Sequence, residues 1–300
     1  MKTFWNAVIV AGLSTGCAAY KPAVKPYVAP PPSQPGWAEV LAHPTPLEVD
    51  TLETGTIKVS RGFLLDLTNP AAKEWKDEDV WVPVFAHLVR HPTRGDFLFD
   101  TGFDHTFATS GHGNLGGLAV LVDICKQPAG MDVKSQLDAH HAALKGVFLT
   151  HAHLDHTAGV PDLPHDIPYV TGPGTLQDAY DDISGVSVHH LDGVPAVEEI
   201  DFSQAKDMPP VGPSVDVFGD GSVWAIWVPG HSKGEVAYLL NATLGPVLLL
   251  GDASHTRWGF EHDVAPNKAT DPVALRKSLE QLRALVAAYP QIRVQPGHDS

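Results

Sequence analysis

Four potential metal ligands fall within six residues in His151-Ala152-His153-Leu154-Asp155-His156. Imidazole and carboxylate together suit zinc, iron or manganese. Extended or turn geometry can bring such closely spaced side chains to one locus. Isolated His and Asp residues are often merely solvated, so this block alone leaves a polar loop open. Three further donors lie downstream, each beside a glycine and after an apolar run: His231 in VPGHS, Asp252 in GDAS and His298 in QPGHD. All seven together point to a metal centre rather than to a surface loop.

Donors so dispersed need rigid supports. Residues 56–67, 80–89 and 96–99 carry the β-branched and aromatic composition of strands, the last ending in Asp100-Thr101-Gly102. The apolar run 144–150 delivers the chain directly into HAHLDH, as a buried strand emptying into a functional loop would. A second β-rich half runs through 215–218, 223–228, 236–240 and 247–250. Asp271-Pro272 then opens a helix as cap and first residue, with Leu275, Leu279, Leu282 and Val286 on one face, before a last strand at 292–295. Two β-rich halves with helices between and after them belong to the α+β class and fit an αββα sandwich, although composition alone does not select it over other α+β folds.

Composition narrows the partners. With 35 acidic against 20 basic residues the formal charge is −15, which repels a phosphate backbone, and no basic patch offsets it; nucleic acid is excluded as a partner. The first sixteen residues, with Lys2, an apolar stretch and Ser14-Thr15-Gly16, read as an export signal too short to span a bilayer. Cys17 follows as in lipoprotein signals, although Ser14 and Leu13 depart from the usual pattern and ordinary cleavage nearby is the alternative. Periplasmic export, with membrane attachment only through a lipid on Cys17, is the expectation. Residues 17–46 hold prolines at 22, 26, 30, 31, 32, 35, 44 and 46 and read as an extended tether before a hydrolase domain at 47–300. Cys125 then has no intramolecular partner and reads as a buried thiol.

HAHLDH, PGHS, GDAS and PGHD resemble the metal motifs of the metallo-β-lactamase superfamily. LFDTGF, VFLTHAHLDHTAGV and VPGHSKGEVAYLL are most similar to the N-acyl homoserine lactonases. The resemblance implies the αββα fold from about residue 47 to the end. It also implies two divalent ions, with zinc the expected metal. One ion would be held by His151, His153 and His231 and the other by Asp155, His156 and His298, with Asp252 bridging. Two such ions lower the pKa of a shared water, and the resulting hydroxide would attack the carbonyl of a lactone or related ester. Asp155 would pass a proton to the leaving alkoxide.

Asp100 is expected not to touch metal but to orient a ligating imidazole; a simple turn-forming Asp is the competing reading. Two positions depart from the lactonase pattern. His255 stands where those enzymes place a tyrosine that polarises the lactone carbonyl, and Glu235 replaces the second histidine of GHxxGH. A neutral His255 can still donate a hydrogen bond to that carbonyl.

His105 and His112 are expected near the mouth of the site. His43, His87, His91, His140, His141, His165, His189, His190 and His262 are expected at the surface. Phe103, Phe107, Trp258 and Phe260 suit either a substrate wall or the core. A thioesterase of the hydroxyacylglutathione type shares the ligand set but continues past its last metal histidine into a helical domain. A β-lactamase lacks the bridging aspartate. A small-molecule phosphodiesterase stays open, as does a tethered binding module without catalysis, which would be marked by lost ligands. The oligomeric state is not legible.

Overall fold

In the computed structural model, which describes residues 22–116, 123–177 and 190–299, the apolar runs become two sheets. The first contains β1 (Ala23–Tyr27), β2 (Glu48–Ser60), β3 (Asp79–His91), β4 (Gly95–Phe99), β5 (Cys125–Lys126), β6 (Leu144–Phe148), β7 (Tyr169–Thr171) and β8 (Ala196–Ile200), side by side in the order β1-β8-β7-β6-β4-β3-β2-β5. The second contains β9 (Lys206–Asp207), β10 (Pro213–Asp216), β11 (Val223–Trp227), β12 (Val236–Leu240), β13 (Val247–Leu249) and β14 (Arg293–Gln295), ordered β14-β13-β12-β11-β10-β9. Among the described residues the helices are α1 (Trp37–Ala42), α2 (Arg61–Leu64), α3 (Val133–Ala139), α4 (Leu154–Thr157), α5 (Arg257–His262) and α6 (Pro272–Ala288).

Alternation along the strands creates the layers. In β12, Val236, Tyr238 and Leu240 cluster between the sheets with Phe97, Phe99 and Phe148. The intervening Ala237 and Leu239 pack outward against Leu279, Leu282 and Leu285 of α6. That helix begins where expected, because Asp271 accepts from Val273 N and Ala274 N. On the far face of the first sheet, Leu88, Leu98 and Val147 pack against Val133 and Leu137 of α3. The result is the expected αββα sandwich.

Residues 22–46 correct the tether expectation. β1 pairs in parallel with β8 from Ala23↔Ala196 to Tyr27↔Ile200. Trp37 and Val40 of α1 are buried in the core with Trp224; Trp37 Nε1 donates to Met208 O, and Asn241 Nδ2 donates to Val40 O. Between them Ser33 donates through N and Oγ to Asp216 Oδ2. Pro26 is tolerated because β1 is an edge strand, where a missing N–H costs the sheet little. The export signal and Cys17 lie outside the described residues.

Candidate metal centre

All seven candidate donors collect where strands end. β6 runs out into Thr150 and His151, and α4 carries Asp155 and His156 one turn later. The loops after β11 and β14 bring in His231 and His298, and β13 leads into a 3-10 turn, Gly251–Ala253, that presents Asp252. That turn needs a glycine: Gly251 has φ +54°, and a Cβ there would lie 2.6 Å from Glu235 Oε1.

The seven donors fall into two groups by distance. Ligand atoms of His151, His153, His231 and Asp252 lie within 4.8 Å of one another, as do those of Asp155, His156 and His298. Asp252 stands between them. Its Oδ2 is 3.4 Å from His231 Nε2 and 3.7 Å from His151 Nε2, while its Oδ1 is 3.4 Å from His156 Nε2 and 3.6 Å from His298 Nε2. His151 Nε2, His156 Nε2 and Asp252 Oδ1 are buried with no hydrogen-bond partner. Each such atom costs about 1–3 kcal/mol unless something satisfies it. A cation among them does so, and this donor set fits a metal centre. His153, the exposed member of its group, marks the open side.

The opposite ring nitrogens are held from behind. His156 Nδ1 lies 2.8 Å from Asp100 Oδ2, His298 Nδ1 3.0 Å from Pro83 O and His231 Nδ1 3.2 Å from Lys268 O. Donation to these acceptors leaves Nε2 to face the centre. Asp100 thus behaves as a positioning carboxylate, at a left-handed φ of 52°, and also accepts from Thr150 N at 2.8 Å. Glu235 does similar work that its sequence position did not disclose: it is fully buried, Oε1 accepts from Asp252 N at 2.9 Å and lies 3.4 Å from His151 Nδ1. The only signal was its place four residues after His231.

Electrostatics distinguish the two halves. Burial, reinforced by the neighbouring imidazoles, holds His151 well below its ordinary value, and burial does the same for His231. Burial also disfavours charge on His298, but Asp252 and Asp155 outweigh it and raise this imidazole to about 10; Asp100 and Asp252 raise His156 likewise. Burial would raise the Asp155 carboxyl, yet His156 and His298 hold it below the usual range. An imidazole with a raised pKa keeps its proton at pH 7, so an ion entering the His156–His298 half must displace it. Loading metal-free protein in unbuffered solution at pH 7 is expected to release protons, with affinity at this half falling as pH is lowered. A pH electrode recording no release would contradict this.

His255 is buried beside the centre, with its Nε2 3.2 Å from Asp252 Oδ2 and its ring stacked on Phe63. Of the nearby histidines, His105 is exposed and pairs with Asp162. His87, His91 and His190 are buried rather than on the surface, because β3 carries the first two inward and Thr157 Oγ1 meets His190 Nδ1 at 2.8 Å. Burial pushes His87 down to about 4, so it is a neutral core residue. His189 lies outside the described residues. Phe103 and Phe107 stack with centroids 4.0 Å apart inside a core cluster, and Phe260 is buried in another, so these three are core residues and not a substrate wall. Burial pushes the Cys125 thiol up to about 12, consistent with an inert structural role.

Comparison with known proteins agrees with this architecture. The chain is 26% identical over 272 residues to an N-acyl homoserine lactonase AttM of Rhizobium johnstonii, covering 85% of this chain and 94% of that protein. An AttM lactonase of Agrobacterium fabrum is 25% identical over the same length. Among solved structures, an N-acyl homoserine lactone hydrolase with N-hexanoyl-L-homoserine bound at its catalytic metal centre superposes with a TM-score of 0.67 at 18% identity, covering 86% of this chain and 94% of that one. The family model described as the metallo-beta-lactamase superfamily matches residues 79–298. With that match spanning both histidine groups and the aspartate between them, the chain belongs to the metallo-beta-lactamase superfamily.

Proposed function

We propose that this chain is a hydrolase dependent on two divalent ions, with zinc the metal the family resemblance implies, that opens N-acyl homoserine lactones. The observation that carries the reading is the division of Asp252, one oxygen toward each histidine group. The lactonase relatives, matched over most of both chains, support the substrate class. Two ions there supply Lewis-acid polarisation of a carbonyl and a nucleophile at neutral pH.

The chain's own residues do the rest. Asp252 fixes the separation of the two groups, and Asp100 and Glu235 hold the imidazoles and the bridging carboxylate in place. Asp155, ionised and with Oδ2 3.2 Å from His298 Nε2, is positioned to carry a proton toward a leaving alkoxide. The test is hydrolysis of a panel of acyl homoserine lactones, thioesters, β-lactams and phosphodiesters by metal-replete protein. Lactone opening should dominate. Turnover confined to thioesters would favour the hydroxyacylglutathione hydrolases, one of which, from Shewanella oneidensis, is 31% identical over 37% of this chain.

We further propose export to the cell envelope with a lipid on Cys17, supported by the apolar leader and its small residues. Among the described residues no helix is long and apolar enough to cross a membrane. Cys17→Ala is expected to move the protein from the membrane to the soluble fraction with lactone hydrolysis intact. Unchanged membrane association would count against the anchor.

A further inference from the structure

His255 is a histidine without the environment that usually explains a buried one. It is fully buried, and neither Nδ1 nor Nε2 has a hydrogen-bond partner. Nε2 comes within 3.2 Å of Asp252 Oδ2, yet that approach lacks hydrogen-bond alignment. The ring cannot be dismissed as packing alone, since Phe63 covers one face at 5.4 Å with 4° between planes while the polar edge is left unsatisfied at a cost of about 1–3 kcal/mol. Its centroid is 5.3 Å from that of His231 and 5.5 Å from that of His298, one histidine from each donor group. Ligand atoms of His255, Asp252 and His298 lie within 4.8 Å of one another, the spacing of a metal-binding set.

We propose that His255 is a metal ligand, an additional nitrogen donor on the face between His231 and His298, rather than a group that polarises the substrate carbonyl. An imidazole whose edge faces a carboxylate and a second imidazole is placed to offer a nitrogen donor to a divalent ion. Its full burial keeps bulk solvent from the ring edge. The stack on Phe63 fixes the ring plane, so binding an ion costs little rotamer entropy. The carbonyl polariser expected at this position then has to come from elsewhere, through the ions themselves. The proposal rests on the metal-centre reading of the site but not on the lactone as substrate.

Cobalt(II) provides the test because both its affinity and its visible absorption report the ligand set. Metal-free full-length protein would be titrated with Co(II), as wild type, His255→Phe and His255→Ala. The phenylalanine keeps the stack and removes both nitrogens; the alanine leaves a space that free imidazole can enter. Expected are a loss of at least ~10-fold in affinity for one of the two ions in both variants, an altered visible band, and recovery of that band when imidazole is added to the alanine variant.

Should either variant fold poorly, proton NMR of Co(II)-loaded wild type decides. An exchangeable, paramagnetically shifted imidazole N–H signal assigned to His255, beside those of the other ligating histidines, supports the proposal. Its absence overturns it. Unchanged affinity and spectrum in the variants overturn it too, whether turnover falls, as for a donor to the substrate, or holds, as for a packing residue. Uptake of fewer than two ions by the wild type would instead refute the dinuclear reading, and failure on lactones alone would refute only the substrate assignment.

Discussion

Asp252→Ala is expected to lower lactone turnover by more than ~10²-fold, beyond what loss of an outer partner of a metal ligand typically costs. The reason is that this carboxylate turns one oxygen toward each half of the centre: Oδ2 approaches His151, His231 and His255, and Oδ1 approaches His156 and His298. On the proposed two-ion reading, its removal would take a ligand from each ion and the negative charge that would hold two cations close together. It also removes one of the carboxylates that favour the charged forms of His156 and His298, leaving Asp100 and Asp155. Metal content of the purified variant should drop with turnover. Replacing His262, an exposed residue outside the donor groups whose Nδ1 meets Trp258 O, should leave both unchanged. Equal losses from the two substitutions would mean that the site has been misassigned.

Trp37→Ala is expected to destabilise the fold by about 3–5 kcal/mol. This indole is 2% exposed, meets Trp224 edge-on at 5.3 Å and donates to Met208 O. For a chain of this size about 1 kcal/mol moves Tm by ~2–4 °C, so thermal unfolding followed by circular dichroism should show a fall of roughly 6–20 °C. A protein beginning at Leu47 loses all of β1 and α1, uncovers β8 and strips Asn241 Nδ2 of its acceptors at Val40 O and His43 O. It is expected not to fold stably. Full Tm and full hydrolysis in that shortened protein would return residues 22–46 to the role of a tether.

The parts of this protein that were legible in its sequence are those specified locally. Asp271-Pro272 and the leucines at helical spacing mark α6 because capping and amphipathicity act within a few turns. The donor motifs are legible because ligand chemistry restricts the residue types, and glycine is required where the backbone crowds the site. A Cβ at Gly297 would collide with Asp252 Oδ1.

What could not be read depends on distant partners. β1 contains Lys25 and Pro26 and looks solvated, yet its pairing strand begins at Ala196. β2 was expected at residues 56–67 but spans Glu48–Ser60, because its pairing with β3 begins at Glu48↔Arg90, where the exposed Glu48, Thr51 and Glu53 mask the strand character of its first half. Ser60 then caps α2 by accepting from Phe63 N, ending the strand where continued apolar residues suggested more of it. His255 shows the same limit at the site: sequence shows an imidazole where a tyrosine was expected, whereas only the fold shows its nitrogens facing Asp252 without a hydrogen-bond partner.

If two ions sharing Asp252 open a lactone, hydrolysis must follow metal loading in a single titration. Metal-free protein would receive zinc in sub-stoichiometric steps, with ring opening of an N-acyl homoserine lactone and bound metal measured at each step. Hydrolysis should reach its maximum only as bound zinc approaches two ions per chain. Full activity at one ion per chain, or two bound ions with no lactone opening, would contradict it.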